Sequence, residues 1–222
     1  MSYDKIIFAT NENYAWYDAI YQKVAMVKIG MEAFYATEGK VVKEFPSDKV
    51  FLDLKLHDIP STVAKGTAYL CSRYRPKFLS VHTQELQSFN RCLDEAAKFG
   101  TKIIGITVLT SHNHNDCLNI FGRWAEQQVE YCVSRILPHE AFGGFVCSGT
   151  DISMVRKFWP TTTVIVPGVR SPGEFSDDQK RVVSPKEAIT LGANYVVVGR
   201  QIRDAKDPEA ALDAIAKEIE GI

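Results

Sequence analysis

The 222-residue sequence lacks several features that mark common classes of protein. No apolar run approaches the roughly 18 residues that suggest a membrane-spanning helix. The N-terminal MSYDKIIFATNENY lacks the charged and long apolar regions of a signal peptide. The net charge is −1, from 26 basic and 27 acidic side chains, and there is no basic block. These features argue against a membrane protein and against a nucleic-acid binder.

Cysteine pairs of the C-x-x-C type and Cys/His clusters are also missing. This argues against structural zinc and against a disulfide framework, so we expect a reducing, cytoplasmic environment. Hydrophobic residues make up 45% of the chain and charged residues 24%, which is typical of a globular protein with a sizeable core. The five cysteines are Cys71, Cys92, Cys117, Cys132 and Cys147.

Short runs of β-branched and aromatic residues, bounded by turn residues, predict eight strands. Segments with helical spacing separate most of them, and residues 111–142, the longest interval, are expected to hold extra helices. Because nearly continuous apolar strands alternate with helices, the pattern predicts a (β/α)8 TIM barrel that forms one domain over residues 1–222. A doubly wound open sheet is the alternative, which the absence of G-x-G-x-x-G after the first strand disfavours. The predicted strands are 5–10, 26–30, 49–56, 77–82, 102–109, 143–148, 162–168 and 193–200.

Charged residues interrupt two of these apolar strands. Asp53 and Lys55 stand two residues apart in the third strand, so their side chains share one face near its C-terminal end, where barrel active sites are assembled. Lys28 interrupts the second strand in the same way. Buried charges that stay unpaired are strongly destabilising, so these groups are expected to pair. A structural ion pair or a helix-facing position is the alternative, but two lysines and two aspartates, including Asp58, favour an active site.

The motif D-x-K-x-x-D-I-x-x-T stands here as Asp53, Lys55, Asp58, Ile59 and Thr62. It resembles the hallmark of the orotidine 5′-monophosphate decarboxylase family. Further matches to this family follow in the right order along nearly the whole chain. They are Lys28-Ile29-Gly30, Val108-Leu109-Thr110-Ser111, Gly144-Phe145-Val146-Cys147-Ser148, Pro167-Gly168-Val169-Arg170, residues 177–182 and Val197-Val198-Gly199-Arg200.

The resemblance implies a lyase that converts orotidine 5′-monophosphate to uridine 5′-monophosphate in pyrimidine biosynthesis, without a metal or an organic cofactor. Loss of CO₂ from C6 of the pyrimidine leaves electron density on a poorly stabilised carbon, so a fixed cation is needed beside it. Lys55 is the candidate for this cation and for the proton donor to C6. Asp53 is expected close to the departing carboxylate, with Lys28 and Asp58 completing the catalytic set.

Phosphate binding is expected from the loops after strands seven and eight. Gln179, the Gly199 backbone N–H and Arg200 are the candidates, and residues 170–182 resemble a lid. The resemblance further implies that Ser111 hydrogen-bonds the pyrimidine amide and that Pro167 contributes to substrate binding.

The resemblance also implies a homodimer, in which Asp58 and Thr62 reach the partner's site and Ile59 is a further substrate-binding position. One position departs from the family pattern. Asn11 stands where the family usually has an aspartate that contacts the ribose hydroxyls. An amide can still hydrogen-bond to hydroxyls but carries no charge, so ribose binding by Asn11 is expected with altered strength.

Two rival functions remain open. Metal-dependent sugar-phosphate decarboxylases or aldolases share the D-x-K-x-x-D spacing but carry glutamate, a magnesium ligand, where this chain has Lys28. An ammonium group cannot coordinate a cation. A catalytically silent nucleotide-binding barrel is suggested only by Asn11. The activity of EDTA-treated protein on orotidine 5′-monophosphate distinguishes these functions.

Overall fold

Eight parallel strands close into a barrel in sequence order, with β8 pairing back to β1. The structure is a computed structural model that describes residues 1–11, 17–171 and 183–221. The predicted barrel is therefore confirmed, and the open sheet was the wrong alternative. The strands are β1 Ile6–Thr10, β2 Met26–Gly30, β3 Val50–Leu56, β4 Phe78–His82, β5 Lys102–Ile106, β6 Phe142–Val146, β7 Thr163–Pro167 and β8 Tyr195–Val198.

Helices alternate with the strands and form the outer layer. Local sequence sets several of their starts: Pro60 occupies the first turn of α3, and capping boxes at Asn113 and Ser184 begin α5 and α8. The interval 111–142 holds two helices, α5 and α6, as predicted. The α-helices are α1 Tyr17–Tyr21, α2 Met31–Ala36, α3 Pro60–Tyr74, α4 Leu86–Ala97, α5 His114–Phe121, α6 Ala125–Ser134, α7 Ile152–Phe158, α8 Pro185–Thr190, α9 Arg200–Arg203 and α10 Pro208–Glu218.

The core has two layers, one inside the barrel and one between the barrel and the helices. Because side chains alternate along a strand, positions two residues apart share a layer. The interior layer therefore fixes which later residues of each strand point into the barrel mouth, and these include Lys28, Asp53, Lys55 and Ser80. The interior apolar cluster comprises Ile7, Met26, Phe51, Phe78, Ile104, Ile165 and Val197.

The predictions for β5 and β8 were too long at their C-terminal ends. β5 ends at Ile106 rather than at 109, and the next residue, Thr107, donates to the Val146 carbonyl from both its hydroxyl, at 3.0 Å, and its backbone N–H, at 3.3 Å. β8 ends at Val198 rather than at 200. The Gly199 carbonyl already accepts from Ile202 at 2.9 Å, so Arg200 is the first residue of a helix and not the last of a strand.

The other strand predictions differ from the structure by no more than two residues at either end, and β2 agrees at both ends. The predicted sixth strand, 143–148, is shifted. β6 begins at Phe142 and ends at Val146, and a 3-10 helix, Gly149–Asp151, follows it closely. The Ser148 hydroxyl donates to the Asp151 carboxylate at 3.0 Å, which favours a turn at this point over a longer strand.

Candidate active site

Three charged side chains meet at the mouth of the barrel. The Asp53 carboxylate lies 3.1 Å from the Lys28 amine and 2.7 Å from the Lys55 amine, and both lysines contact its Oδ2 atom. The side chain of Asp53 is 8% exposed, whereas that of Lys55 is 30% exposed. The predicted pairing of these residues is therefore confirmed. The Lys55 side chain is the most exposed of the three, since that of Lys28 is 17% exposed.

The serine of the fourth strand completes this cluster. The fully buried Ser80 hydroxyl donates to Asp53 Oδ1 at 2.9 Å and accepts the Lys55 backbone N–H at 2.8 Å. Ser80 therefore connects the backbone of Lys55 to the side chain of Asp53. Sequence reasoning missed Ser80, although its position two residues after the interior Phe78 was a usable signal.

Lys55 has an unusual backbone conformation. Its φ is +49°, in the left-handed region that non-glycine residues rarely adopt, at a cost of about 1–3 kcal/mol. The register between β3 and β4 shifts between Leu52 and Leu56, and the hydrogen bond from the Lys55 N–H to Ser80 lies within this irregular stretch. The surrounding structure thus holds the Lys55 backbone in a strained conformation next to the carboxylate that its amine contacts.

The two lysines determine the charge state of Asp53. Burial opposes ionisation of its carboxyl group, but Lys28 and Lys55 stabilise the carboxylate more strongly and lower its pKa from 3.8 to about 2. Asp53 is therefore ionised at neutral pH. Its Oδ2 atom contacts both amines and its Oδ1 atom contacts Ser80, so its oxygens are already engaged by the protein.

A histidine pair lies beside the cluster. His82, the last residue of β4, packs against His57 with ring centroids 5.2 Å apart. Burial is the main reason that the pKa of His82 is lowered to about 4, and His57 and Lys55 lower it further. The His82 imidazole is therefore neutral near pH 7 and is a poor proton donor there.

Among the described residues, Asp58 forms no ion pair with the Lys28–Asp53–Lys55 cluster. It is exposed, and its carboxylate accepts the Ile59 backbone N–H at 2.7 Å. Ile59 is 63% exposed, and Thr62, in the first turn of α3, is exposed as well. Within the described part of this chain, ion pairs therefore join three of the four predicted catalytic residues, and the fourth, like its two neighbours in the motif, is exposed.

The other predicted contacts surround the mouth. Pro167 ends β7 half-buried, and Ser111 lies exposed between β5 and α5. Gly199 approaches β1 closely, since a Cβ atom there would lie 3.3 Å from that of Ala9. Arg200 follows it at the exposed start of α9. Gln179, and residues 172–182 of the expected lid, lie outside the described residues.

Asn11 follows β1, and its side-chain NH₂ group donates to the Glu32 carboxylate at 2.9 Å. Sequence reasoning did not single out Glu32. Across residues 1–11, 17–171 and 183–221, no group of three or more His, Cys, Asp or Glu side chains is placed to hold a metal ion. No helix of the described residues is long and apolar enough to cross a membrane.

A charged cluster at the carboxyl ends of eight parallel strands defines a (β/α)8-barrel enzyme site. The family model described as "Orotidine 5'-phosphate decarboxylase / HUMPS family" matches residues 7–215. The orotidine 5′-phosphate decarboxylase of Rhodopseudomonas palustris is 36% identical over 208 residues, 92% of this chain and 87% of the relative. That of Anaeromyxobacter dehalogenans is 37% identical over 214 residues, 94% and 92% of the two chains.

Solved structures agree. The orotidine 5′-phosphate decarboxylase of Lactobacillus acidophilus superposes with a TM-score of 0.72 at 26% identity, over 98% of this chain and 100% of its own. The enzyme of Sulfolobus solfataricus has a TM-score of 0.75 over 98% of both chains, and at 19% identity it shows a likeness of fold alone. The chain belongs to the orotidine 5′-phosphate decarboxylase / HUMPS family, and it is a carboxy-lyase.

Proposed function

We propose that this chain decarboxylates orotidine 5′-monophosphate to uridine 5′-monophosphate by direct loss of CO₂. The observation that carries the proposal is the preformed Lys28–Asp53–Lys55 cluster, with amine-to-carboxylate distances of 3.1 and 2.7 Å at the barrel mouth. The names of the relatives support the choice of substrate.

Lys55 is proposed to act on C6 of the pyrimidine. As the C6–carboxylate bond breaks, its electron pair stays on C6, and the fixed ammonium group stabilises this charge. CO₂ leaves as this bond breaks, and Lys55 then transfers a proton to C6, which completes uridine 5′-monophosphate. The left-handed backbone of Lys55 and its bond to Ser80 support this role, because they fix the amine before substrate arrives. The ionised Asp53 holds the amine and lies where the substrate carboxylate departs.

The remaining contacts are proposed from the family resemblance and from their places around the mouth. Arg200, the Gly199 N–H and Gln179 bind the phosphate, and Arg200 at the start of α9 has the exposure that this contact needs. Ser111 and Pro167 contact the pyrimidine. Asn11 contacts the ribose hydroxyls.

A homodimer is part of the proposal. The exposed positions of Asp58, Ile59 and Thr62 support the expectation that these residues serve the site of a partner subunit, since a second chain can contact exposed side chains. One barrel domain over the whole chain, in a reducing cytoplasm, is the proposed form of the enzyme. The five cysteines are buried, free thiols, which agrees with that environment.

The chemistry of the donor set disfavours a resident divalent cation at this cluster. Lys28 and Lys55 neutralise Asp53 and engage one of its oxygens, and Ser80 engages the other. A magnesium ion needs free oxygen ligands and tolerates no ammonium group in its coordination shell. This observation favours decarboxylation without a metal over the metal-dependent sugar-phosphate chemistry.

The test follows the absorbance of orotidine 5′-monophosphate after addition of EDTA-treated protein. We expect wild-type protein to turn the substrate over, and a folded Lys55→Ala protein to retain less than about a tenth of the rate, a difference above about 1.4 kcal/mol. Activity that is lost on chelation and restored by Mg²⁺ would contradict the metal-independent mechanism. An inactive wild-type protein that still binds uridine 5′-monophosphate would support the catalytically silent barrel instead.

A further inference from the structure

The loop that carries Asp58 is held by a side chain of the next helix. Asp58 lies between the end of β3 and the start of α3, and its backbone carbonyl accepts a hydrogen bond from the Ser88 hydroxyl at 2.8 Å. Ser88 is only 2% exposed, whereas Asp58 is an exposed residue. A buried side chain 30 residues further along the chain therefore fixes one point of an exposed loop.

Ser88 is itself held in place. It lies in the first turn of α4, where the Glu85 carboxylate accepts the backbone N–H groups of Gln87 and Ser88. α4 follows β4, which pairs with β3, and α3 packs against α4. Because its helix turn is capped and its side chain is buried, Ser88 can act as a fixed donor to the loop before α3.

One peptide unit links Ser88 to the Asp58 side chain. The peptide between Asp58 and Ile59 presents its C=O to the Ser88 hydroxyl at 2.8 Å and its N–H to Asp58 Oδ1 at 2.7 Å. Because a peptide unit is planar, fixing the direction of its C=O also fixes the direction of its N–H. The Asp58 carboxylate is hydrogen-bonded to that N–H, so Ser88 fixes the orientation of the carboxylate through the backbone.

We propose that Ser88 is a positioning residue that orients the Asp58 carboxylate for the site of the partner subunit. The inference rests on the proposed function, in which Asp58 serves that site. A carboxylate whose orientation is set before substrate binds has less freedom to lose on the way to the transition state. Ser88 therefore acts on a site to which its own chain contributes Asp58 and the partner subunit contributes the lysine that acts on C6.

Single variants test the hydroxyl, with kcat/KM for orotidine 5′-monophosphate as the measurement. We expect Ser88→Ala to lower kcat/KM by about tenfold, because a hydrogen bond that orients a catalytic group is lost. Ser88→Thr keeps the hydroxyl and should stay within about threefold of wild type. Thr101→Val is the matched control: it removes another buried hydroxyl that donates to a backbone carbonyl, that of Pro76 at 2.9 Å, and should leave kcat/KM unchanged.

Urea denaturation checks that each variant is folded. If Ser88→Ala does not fold, Ser88→Cys takes its place in every comparison. A thiol has nearly the size of the hydroxyl group but is a weaker hydrogen-bond donor, so the same loss of kcat/KM is expected in the same direction.

Heterodimers separate an effect on the partner's site from an effect on a chain's own site. Each heterodimer is purified through a different affinity tag on each subunit and retains Lys55 in one subunit only. In the first, a Lys55→Ala chain is paired with a Ser88→Ala chain. The one site that retains Lys55 then draws Asp58 from the chain with an intact Ser88, so kcat/KM for this site should be close to that of a wild-type site.

In the second heterodimer, both substitutions lie in one chain and the other chain is wild type. The one site that retains Lys55 now draws Asp58 from the chain that lacks the Ser88 hydroxyl. Its kcat/KM should be about tenfold below that of the first heterodimer. Because both heterodimers contain the same two substitutions, a general loss of stability does not predict this difference.

The outcomes are distinct. A first heterodimer that is faster than the second establishes the inference. Equal rates, or a faster second heterodimer, would overturn it, and so would an unchanged kcat/KM in the Ser88→Ala homodimer. In each of these cases the wild-type protein is active and decarboxylation still stands. An inactive wild-type protein contradicts the proposed function itself, and the inference with it.

Discussion

The connection between Asp53 and Lys55 through Ser80 can be tested by removing one oxygen atom. Ser80→Ala deletes the hydroxyl that donates to Asp53 Oδ1 at 2.9 Å and accepts the Lys55 N–H at 2.8 Å. Ser80 is fully buried and Asp53 is 6% exposed, so water cannot easily replace either bond. A buried group left without its partner costs about 1–3 kcal/mol, and more when it is charged. We therefore expect the free energy of unfolding to fall by about 2–4 kcal/mol.

The same substitution should reduce turnover. Without Ser80, the left-handed Lys55 backbone loses a hydrogen bond in the irregular stretch between β3 and β4. A displacement of about 1 Å at a catalytic group can lower the rate by roughly a hundredfold. We expect kcat to fall at least tenfold in protein that circular dichroism shows to be folded. Urea denaturation measures the stability, and the absorbance of orotidine 5′-monophosphate measures the rate.

Thr101→Val is the matched control. It removes another buried hydroxyl, which donates to the Pro76 carbonyl at 2.9 Å just before β5, at the opposite end of the barrel. We expect a loss of about 1 kcal/mol in the free energy of unfolding and an unchanged kcat. If Ser80→Ala behaves like Thr101→Val in both measurements, Ser80 does not position Lys55 and the argument from the network is wrong.

Three further predictions concern the charged groups. Arg200→Ala should lower kcat/KM for the nucleotide by a factor that corresponds to several kcal/mol of lost transition-state stabilisation, and Arg200→Lys should restore it only in part. The kcat/KM for the nucleoside orotidine should stay nearly unchanged. An equal loss on both substrates would assign Arg200 a structural role. Mixing inactive Lys55→Ala and Asp58→Ala proteins should recover activity if Asp58 serves the partner's site, and no recovery after proven subunit exchange would place it in its own. Asp53, with its pKa lowered from 3.8 to about 2, contributes stability above pH 4 that is lost as the pH falls through 2. The stability difference between wild type and Asp53→Asn should therefore shrink by about 2 kcal/mol from pH 5 to pH 2 in urea titrations, and a constant difference would contradict the assigned pKa.

Much of the fold was predictable because its signals are local. Each strand is a short apolar run, and the two-residue alternation along β3 was enough to put Asp53 and Lys55 on one face. The ends of β5 and β8 were not predictable in the same way. β5 ends just before Thr107, which donates a hydrogen bond to Val146, 39 residues away in sequence. Local composition gives no signal for that contact.

The candidate site likewise has features that local sequence predicts and features that depend on tertiary contacts. Local sequence was enough to predict the eight strands and the charged residues, and also the pairing of the two lysines with Asp53, because burial makes an unpaired charge too unfavourable. The hydrogen bonds that support these groups depend on tertiary contacts. Ser80 lies 25 residues from Lys55 and Glu32 lies 21 residues from Asn11, and each pair meets through strand pairing and register. The left-handed conformation of Lys55 arises in the same way, because it depends on a shift between neighbouring strands that no alternation within a single strand can specify.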